Sequence, residues 1–182
     1  MGNQKARTAA RTSTKSDPFD PAFFANRNDR WLTPLAIIDA IGPFDLDPCS
    51  APDHPTAETR WTPEEVGDGL AMPWFGRVWL NPPYGRTMAE WVRRLVEHES
   101  GIALIPVATG TKLWQDVVFP NATAILFYRH RINFLRRDGL GSAEDMVAPQ
   151  ASALIAFSDS DATSLEGSGL TGECIRFNGA HP

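Results

Sequence analysis

Four consecutive residues, Asn81-Pro82-Pro83-Tyr84, have types and spacing that suit one kind of chemistry. A residue before proline is pushed to an extended backbone, so Asn81 and Pro82 are both restricted. Pro82 and Pro83 also lack an N–H and fix φ. The result is a stiff extended turn that offers two acceptors, the Asn81 side-chain oxygen and the Pro82 carbonyl. Tyr84 adds a flat aromatic face. Two acceptors beside an aromatic platform suit a planar amide or an exocyclic amine: the acceptors bind its N–H groups and the ring stacks on its π face. The plainer reading is a rigid turn that ends a strand, with Tyr84 packing.

The flanking elements must position this turn. Arg77-Val78-Trp79-Leu80 reads as a buried strand leading into it. Thr87 with Glu90 has the pattern of a capping box, opening a helix with apolar positions Met88, Trp91, Val92, Leu95 and Val96. The turn then lies beyond the carboxyl end of a strand, where open parallel sheets bind ligands.

Upstream, Thr33-Pro34 predicts a helix start, with Thr33 as N-cap and Pro34 at the first helical position. The helix runs through Leu35, Ile37, Ile38 and Ile41 and stops at Gly42-Pro43. Phe44 to Asp47 predicts a short strand ending at Pro48. Residues 50–76 are irregular, apart from a capping-box turn at Thr62-Pro63-Glu64-Glu65. A strand over 102–107, a short helix over 111–118 and strands over 122–128, 152–157 and 173–177 complete the chain. Buried strands alternating with helices indicate an α/β fold with a mostly parallel sheet, whose last two strands form an antiparallel edge.

The 182 residues suit one compact domain. Residues 1–18 read as a disordered basic tail, 19–178 as the folded domain and 179–182 as a C-terminal tail. No run approaches the ~20 apolar residues of a membrane helix. Cys49 and Cys174 are too few for a disulfide scaffold or a cysteine metal site. These features favour a soluble cytoplasmic protein without a metal. The net charge of −5 speaks against a nucleic-acid partner until its distribution is read. Lys5, Arg7, Arg11 and Lys15 stand within residues 1–16 without an acid, whereas Arg176 is the one Lys or Arg against seven acids after residue 137. Four arginines, Arg129, Arg131, Arg136 and Arg137, cluster without an acid. A local basic surface is therefore available.

The Asn-Pro-Pro-Tyr turn resembles the catalytic motif of S-adenosylmethionine-dependent amino-methyltransferases. The wider pattern resembles the phage-type DNA adenine-N6 methyltransferases. It comprises Trp31-x-Thr33-Pro34, Phe44-Asp45-Leu46-Asp47-Pro48-Cys49, Asp68-Gly69-Leu70, Trp79-x-Asn81-Pro82-Pro83-Tyr84, Leu104-x-Pro106 and Arg131-x-Asn133-Phe134. The resemblance spans about residues 20–178. It implies a Rossmann-like methyltransferase domain that carries a methyl group from S-adenosylmethionine to a flipped-out adenine of DNA. It further implies a phage or prophage product that acts in a bacterial cytoplasm and masks sites from host restriction.

The resemblance also implies roles. Asn81 and Pro82, stiffened by Pro83, accept the target amine, and Tyr84 stacks on the base. Asp47, Pro48 and Cys49 belong to the methyl-donor site, with Asp47 on the donor's ammonium. Cys49-Ser50-Ala51 replaces the glycine-rich turn common in the wider superfamily. Asp68, Gly69 and Leu70 meet the donor's adenine, and Trp31, Thr33 and Pro34 line its methionine end. Glu58, Glu64 and Glu65 are all candidates for a ribose acid. Arg129, Arg131, Arg136 and Arg137 either meet DNA phosphates or are solvated. Arg86 and Lys112 extend the basic surface, and Asn133 and Phe134 match a segment near the target base, with a place in the core as the other reading of Phe134. Two other readings compete: an RNA or protein-glutamine amino-methyltransferase, and a non-catalytic DNA-binding module on the same fold.

Overall fold

The near-continuous apolar strands join one sheet in the computed structural model, which describes residues 32–135, 148 and 150–177. In chain order the elements are α1 (Leu35–Ile41), β1 (Leu46–Asp47), β2 (Thr59–Arg60), α2 (Pro63–Val66), β3 (Val78–Leu80), α3 (Met88–His98) and β4 (Gly101–Pro106). A π-helical stretch (Trp114–Val118) runs into α4 (Phe119–Asn121), followed by β5 (Ala124–Tyr128), β6 (Ser152–Ala156), α5 (Asp159–Gly167) and β7 (Gly172–Arg176). The strand order is β2-β1-β3-β4-β6-β5-β7. Strands β2, β1, β3 and β4 are mutually parallel. Strand β6 runs antiparallel to both β4 and β5, and β7 antiparallel to β5. Five strands therefore point one way and β6 and β7 the other, a mixed α/β fold with a mostly parallel sheet.

Side chains alternate across the sheet. Val78, Leu80, Ala103, Ile105 and Ile155 face one way, under Trp91, Val92 and Leu95 of α3 and the buried Trp114. Trp79, Ile102, Leu104 and Leu154 face the other way, under Ile37, Ile38 and Ile41 of α1 and Ala162 and Leu165 of α5. The outcome is three layers, helix on sheet on helix.

One polar cluster pins these layers at the end of the sheet where the parallel strands begin. The Asp161 carboxylate is fully buried on α5. It accepts from Arg77 Nε at 2.6 Å and from the Gly101 N–H at 2.7 Å. Arg77 in turn donates to the carbonyls of Ile41 and Pro43 and lies 4.6 Å over the Phe44 ring. Helices α1 and α5 and the starts of β3 and β4 are thereby tied through one ion pair.

The structure departs from the sequence reading in four places. Strand β6 is not at an edge but sits between β4 and β5. All five of its residues are buried, and such a strand needs neighbours on both sides. Strand β7 is the edge, with Glu173 and Ile175 exposed. Helix α5 was not foreseen, because only Ala162 and Leu165 give it an apolar face. It starts on Ser158, whose hydroxyl accepts from the Asp161 N–H. Helix α1 begins one residue late, capped by Pro34 and not by Thr33. The Thr87–Glu90 capping box does not form, since Thr87 is already in helical conformation. The box at Thr62 does form, with the Glu65 carboxylate accepting from the Thr62 N–H and hydroxyl. The basic tail, Trp31, Arg136 and Arg137 lie outside the described residues.

Removing Asp161 leaves the Arg77 guanidinium inside the fold without its counter-charge. Asp161→Ala should therefore cost about 3–5 kcal/mol of unfolding free energy in a urea titration. A loss below about 1 kcal/mol would show that the pin is dispensable.

Candidate functional site

Strands β1 and β3 are parallel neighbours, with Leu46 opposite Val78. Their carboxyl ends therefore release two chain segments side by side, Asp47-Pro48-Cys49-Ser50 and Asn81-Pro82-Pro83-Tyr84. A cleft of about 350 Å3 opens between them. Both segments line it, together with Thr33, Asp68 and Gly69.

Asp47 forms the floor of one half. Its carboxylate accepts from the Thr56 hydroxyl and from the Cys49 N–H at 3.1 Å. Burial raises its pKa from 3.8 to about 6, and those two hydrogen bonds pull against the rise. The carboxyl thus stands desolvated, and among the described residues it forms no ion pair. Opposite Asp47, the loop through Asp68 closes the same half. The Asp68 carboxylate accepts from the Leu70 N–H at 2.9 Å, an Asx turn. Gly69 packs directly on the Pro48 carbonyl, where a Cβ would overlap the oxygen. Trp74 Nε1 donates to the Gly69 carbonyl at 2.8 Å and stacks on Trp91. The glycine is required by this close approach of two loops.

The other half is the Asn-Pro-Pro-Tyr turn. Pro82 is buried, Tyr84 is half-buried and Pro83 is exposed. Burial pushes the Tyr84 phenol upward, so it stays neutral. Asn81 Nδ2 donates to Thr33 Oγ1 at 3.3 Å. The Cys49 thiol donates to the Asn81 carbonyl at 3.4 Å, joining the two halves. Burial, and then the charge of Asp47, push the thiol pKa well up, so Cys49 is a hydrogen-bond donor and not a nucleophile.

The structure gathers most of the residues singled out from the sequence. Thr33, Asp47, Pro48, Cys49, Asp68, Gly69 and Asn81 through Tyr84 all line the cleft. Pro34 instead caps α1, and Leu70 packs against the core. Glu58, Glu64 and Glu65 do not line the cleft, and Glu65 is spent on its cap. Phe134 is 1% exposed within the core, so it presents no face to a nucleic acid. Arg86, Lys112, Arg129, Arg131 and Asn133 are exposed. Arg86, Lys112 and Arg129 follow the ends of β3, β4 and β5, at the end of the sheet where the cleft opens. Sequence reasoning missed His54 and Thr56, and it treated Trp79 and Trp91 as core alone, although both also line the cleft. No local pattern marks His54 or Thr56; they arrive because β2 returns beside β1.

Comparison with known proteins follows the same residues. The DNA N-6-adenine-methyltransferase (Dam) family matches residues 23–164. The chain belongs to the Dam family. A DNA N-6-adenine-methyltransferase of Escherichia phage T1 is 28% identical to this Dam-family chain over 109 residues. The match covers 54% of the chain and 44% of the phage protein, so it spans less than half of that relative's length. Among the described residues no helix is long and apolar enough to cross a membrane, and no His, Cys, Asp and Glu cluster could hold a metal.

The cost of Asp47 gives a test in this Dam-family chain. An acid whose pKa is higher folded than unfolded holds its proton longer in the fold. Between 3.8 and about 6 the unfolded chain therefore binds fewer protons, and stability falls as pH rises through that window. The full span corresponds to about 3 kcal/mol as an upper bound. Asp47→Asn should be more stable than the parent by about 1–3 kcal/mol at pH 8 and equal to it near pH 4, in urea titrations at both pH values. An equal difference at both would show that the buried charge is not what costs stability.

Proposed function

We propose that this chain is a site-specific DNA adenine-N6 methyltransferase of Rossmann-like fold that uses S-adenosylmethionine. One observation carries the reading: an acceptor-lined Asn-Pro-Pro-Tyr turn and a desolvated carboxylate end two adjacent parallel strands and share one cleft. Membership of the Dam family and the phage T1 relative support it. By the same reasoning the protein is a phage or prophage product at work in a bacterial cytoplasm.

The cleft suits this donor. Its volume falls within the roughly 300–1,000 Å3 of small-molecule sites. A buried carboxylate with a raised pKa regains its charge when a cation settles beside it, and the donor carries an ammonium. Asp68 stands exposed at the rim, ready to accept from an exocyclic amine. Gly69 keeps the wall thin enough for the backbone to approach. Bound there, S-adenosylmethionine would supply an electrophilic methyl group on a sulfonium.

The protein's own contribution is placement. The Asn81 side-chain oxygen and the Pro82 carbonyl accept the two N–H groups of the target amine. Those bonds draw the nitrogen lone pair out of conjugation with the ring and make it a better nucleophile. Tyr84, neutral and half-buried, offers a face to a flipped adenine. The residues bring no covalent nucleophile; orientation within the cleft is their means of catalysis. Arg86, Lys112, Arg129 and Arg131 would meet phosphates on the surface around the opening.

Two measurements test this. With labelled donor and matched DNA, RNA and protein substrates, label should appear at adenine N6 of DNA, and label in protein alone would overturn the reading. Asn81→Ala and Tyr84→Ala should each abolish transfer while donor affinity, measured by calorimetry, changes by no more than a few-fold. Loss of donor binding in both folded variants would reassign the turn. Donor affinity should also fall about tenfold from pH 7 to pH 5, because Asp47 must be ionised to hold an ammonium and is protonated below about 6. An affinity flat across that range would remove Asp47 from the ammonium site.

A further inference from the structure

We infer that His54 is a positioning residue that acts through Thr33 to orient the Asn81 amide toward the target amine. The inference rests on the reading of Asn81 as an amine acceptor. His54 Nε2 lies 2.9 Å from the Thr33 carbonyl, and the two residues are 7% and 1% exposed. A carbonyl can only accept, so Nε2 carries the proton and donates. Burial lowers the His54 pKa, so the ring is neutral at pH 7 with its one proton on Nε2. Thr33 Oγ1 then receives Asn81 Nδ2. Donor, carbonyl, hydroxyl and amide form one line from a loop to the reacting turn.

Thr33 is free for this task because α1 starts on Pro34 and draws no side-chain cap from Thr33. On its other side Leu32 is tied to Leu135 by two backbone hydrogen bonds. The His54 bond is what holds the Thr33 carbonyl from the cleft side. The Asn81–Thr33 contact of 3.3 Å sits at the long end of hydrogen-bond range, so a small retreat of Thr33 breaks it. An amide that then turns by half a rotation presents N–H groups where the target amine needs an acceptor. His54 also shares a short loop with Thr56, which bonds Asp47. One loop therefore steadies both halves of the cleft.

The test compares His54→Ala, His54→Gln and Thr33→Val in the full chain. Glutamine places an N–H donor near the position of Nε2, and valine deletes only the hydroxyl of Thr33. In His54→Ala, kcat for DNA methylation should fall about 10- to 100-fold. Donor Kd by calorimetry should stay within about two-fold, and His54→Gln should recover kcat to within a few-fold. A fall in donor affinity with kcat unchanged would make His54 a donor contact and overturn the inference. The second readout needs no turnover: the Asn81 side-chain amide pair in a 1H–15N spectrum, assigned by its loss in Asn81→Asp. That pair should shift and exchange faster with water in His54→Ala and in Thr33→Val, and stay in place in His54→Gln. A pair unmoved in the first two variants overturns the inference. A parent protein that methylates no DNA, while the pair still moves, overturns the functional reading and leaves the positioning in place.

Discussion

The arrangement of the cleft depends on a contact at the opposite end of the sheet. Arg77 stands just before β3 and binds the buried Asp161 of α5, the carbonyls at the end of α1 and the face of Phe44. Its own N–H donates to Asp45, and its carbonyl accepts from Asp45 and Leu46. Strand β1 is two residues long and has only one paired position with β3. So short a ladder does not set its own register; the pairing with β2 and the Arg77 cluster hold it. Shifting β1 by one residue would turn Asp47 to the other face of the sheet. The hydrogen bonds of Arg77 to the start of β1 thus help set the face to which Asp47 points.

At the cleft end the priorities reverse. Asp47, Thr33, His54 and Thr56 are all buried polar groups, and Asp47 is held in a place that disfavours its charge. Buried polar groups are tolerated when they bond to one another, and here each is hydrogen-bonded. The layers below supply the stability, through two apolar clusters on the two faces of the sheet. Such a division lets the loops carry an arrangement that would not be favourable on its own.

What could be read beforehand follows from whether a residue's role is local. Asn81 to Tyr84 were legible because the steric effect of two prolines and the chemistry of the turn reside in the same four residues. Asp47 was legible because it ends a strand. Gly69 was legible as a motif member, but its reason, contact with the Pro48 carbonyl, exists only after the two loops meet. His54 and Thr56 were invisible because their partners are 21 and 9 residues away, reached through the parallel pairing of β1 and β2. For Phe134 the core was one of two readings, and it holds: residues 131–135 alternate exposed and buried, which puts Ile132 and Phe134 inside and Arg131 and Asn133 outside. Strand β6 was misplaced. A fully apolar five-residue strand asks for two neighbours, and order along the chain says nothing about which.

The sheet direction also bears on how an acidic chain would meet the proposed polyanion. Five strands share one direction, so their carboxyl ends form one surface, and Arg86, Lys112, Arg129 and Arg131 lie on the segments leaving it. Strands β6 and β7 run the other way, so their carboxyl ends lie at the far end. There Asp159 and Glu166 of α5 pair with Arg176. Asp159 and Glu166 are thereby carried to the end of the sheet away from the proposed DNA-facing surface, whereas Glu173, at the start of β7, lies beside Arg129. Within the cleft the sign changes again, since Asp47 and Asp68 line it. The net charge of −5 therefore does not describe the surface around the opening, where Arg86, Lys112, Arg129 and Arg131 are exposed and Glu173 lies beside Arg129. Most of this field decays within about 10 Å at 0.1 M salt, so a DNA backbone at the opening meets the basic rim before it meets the distant acids.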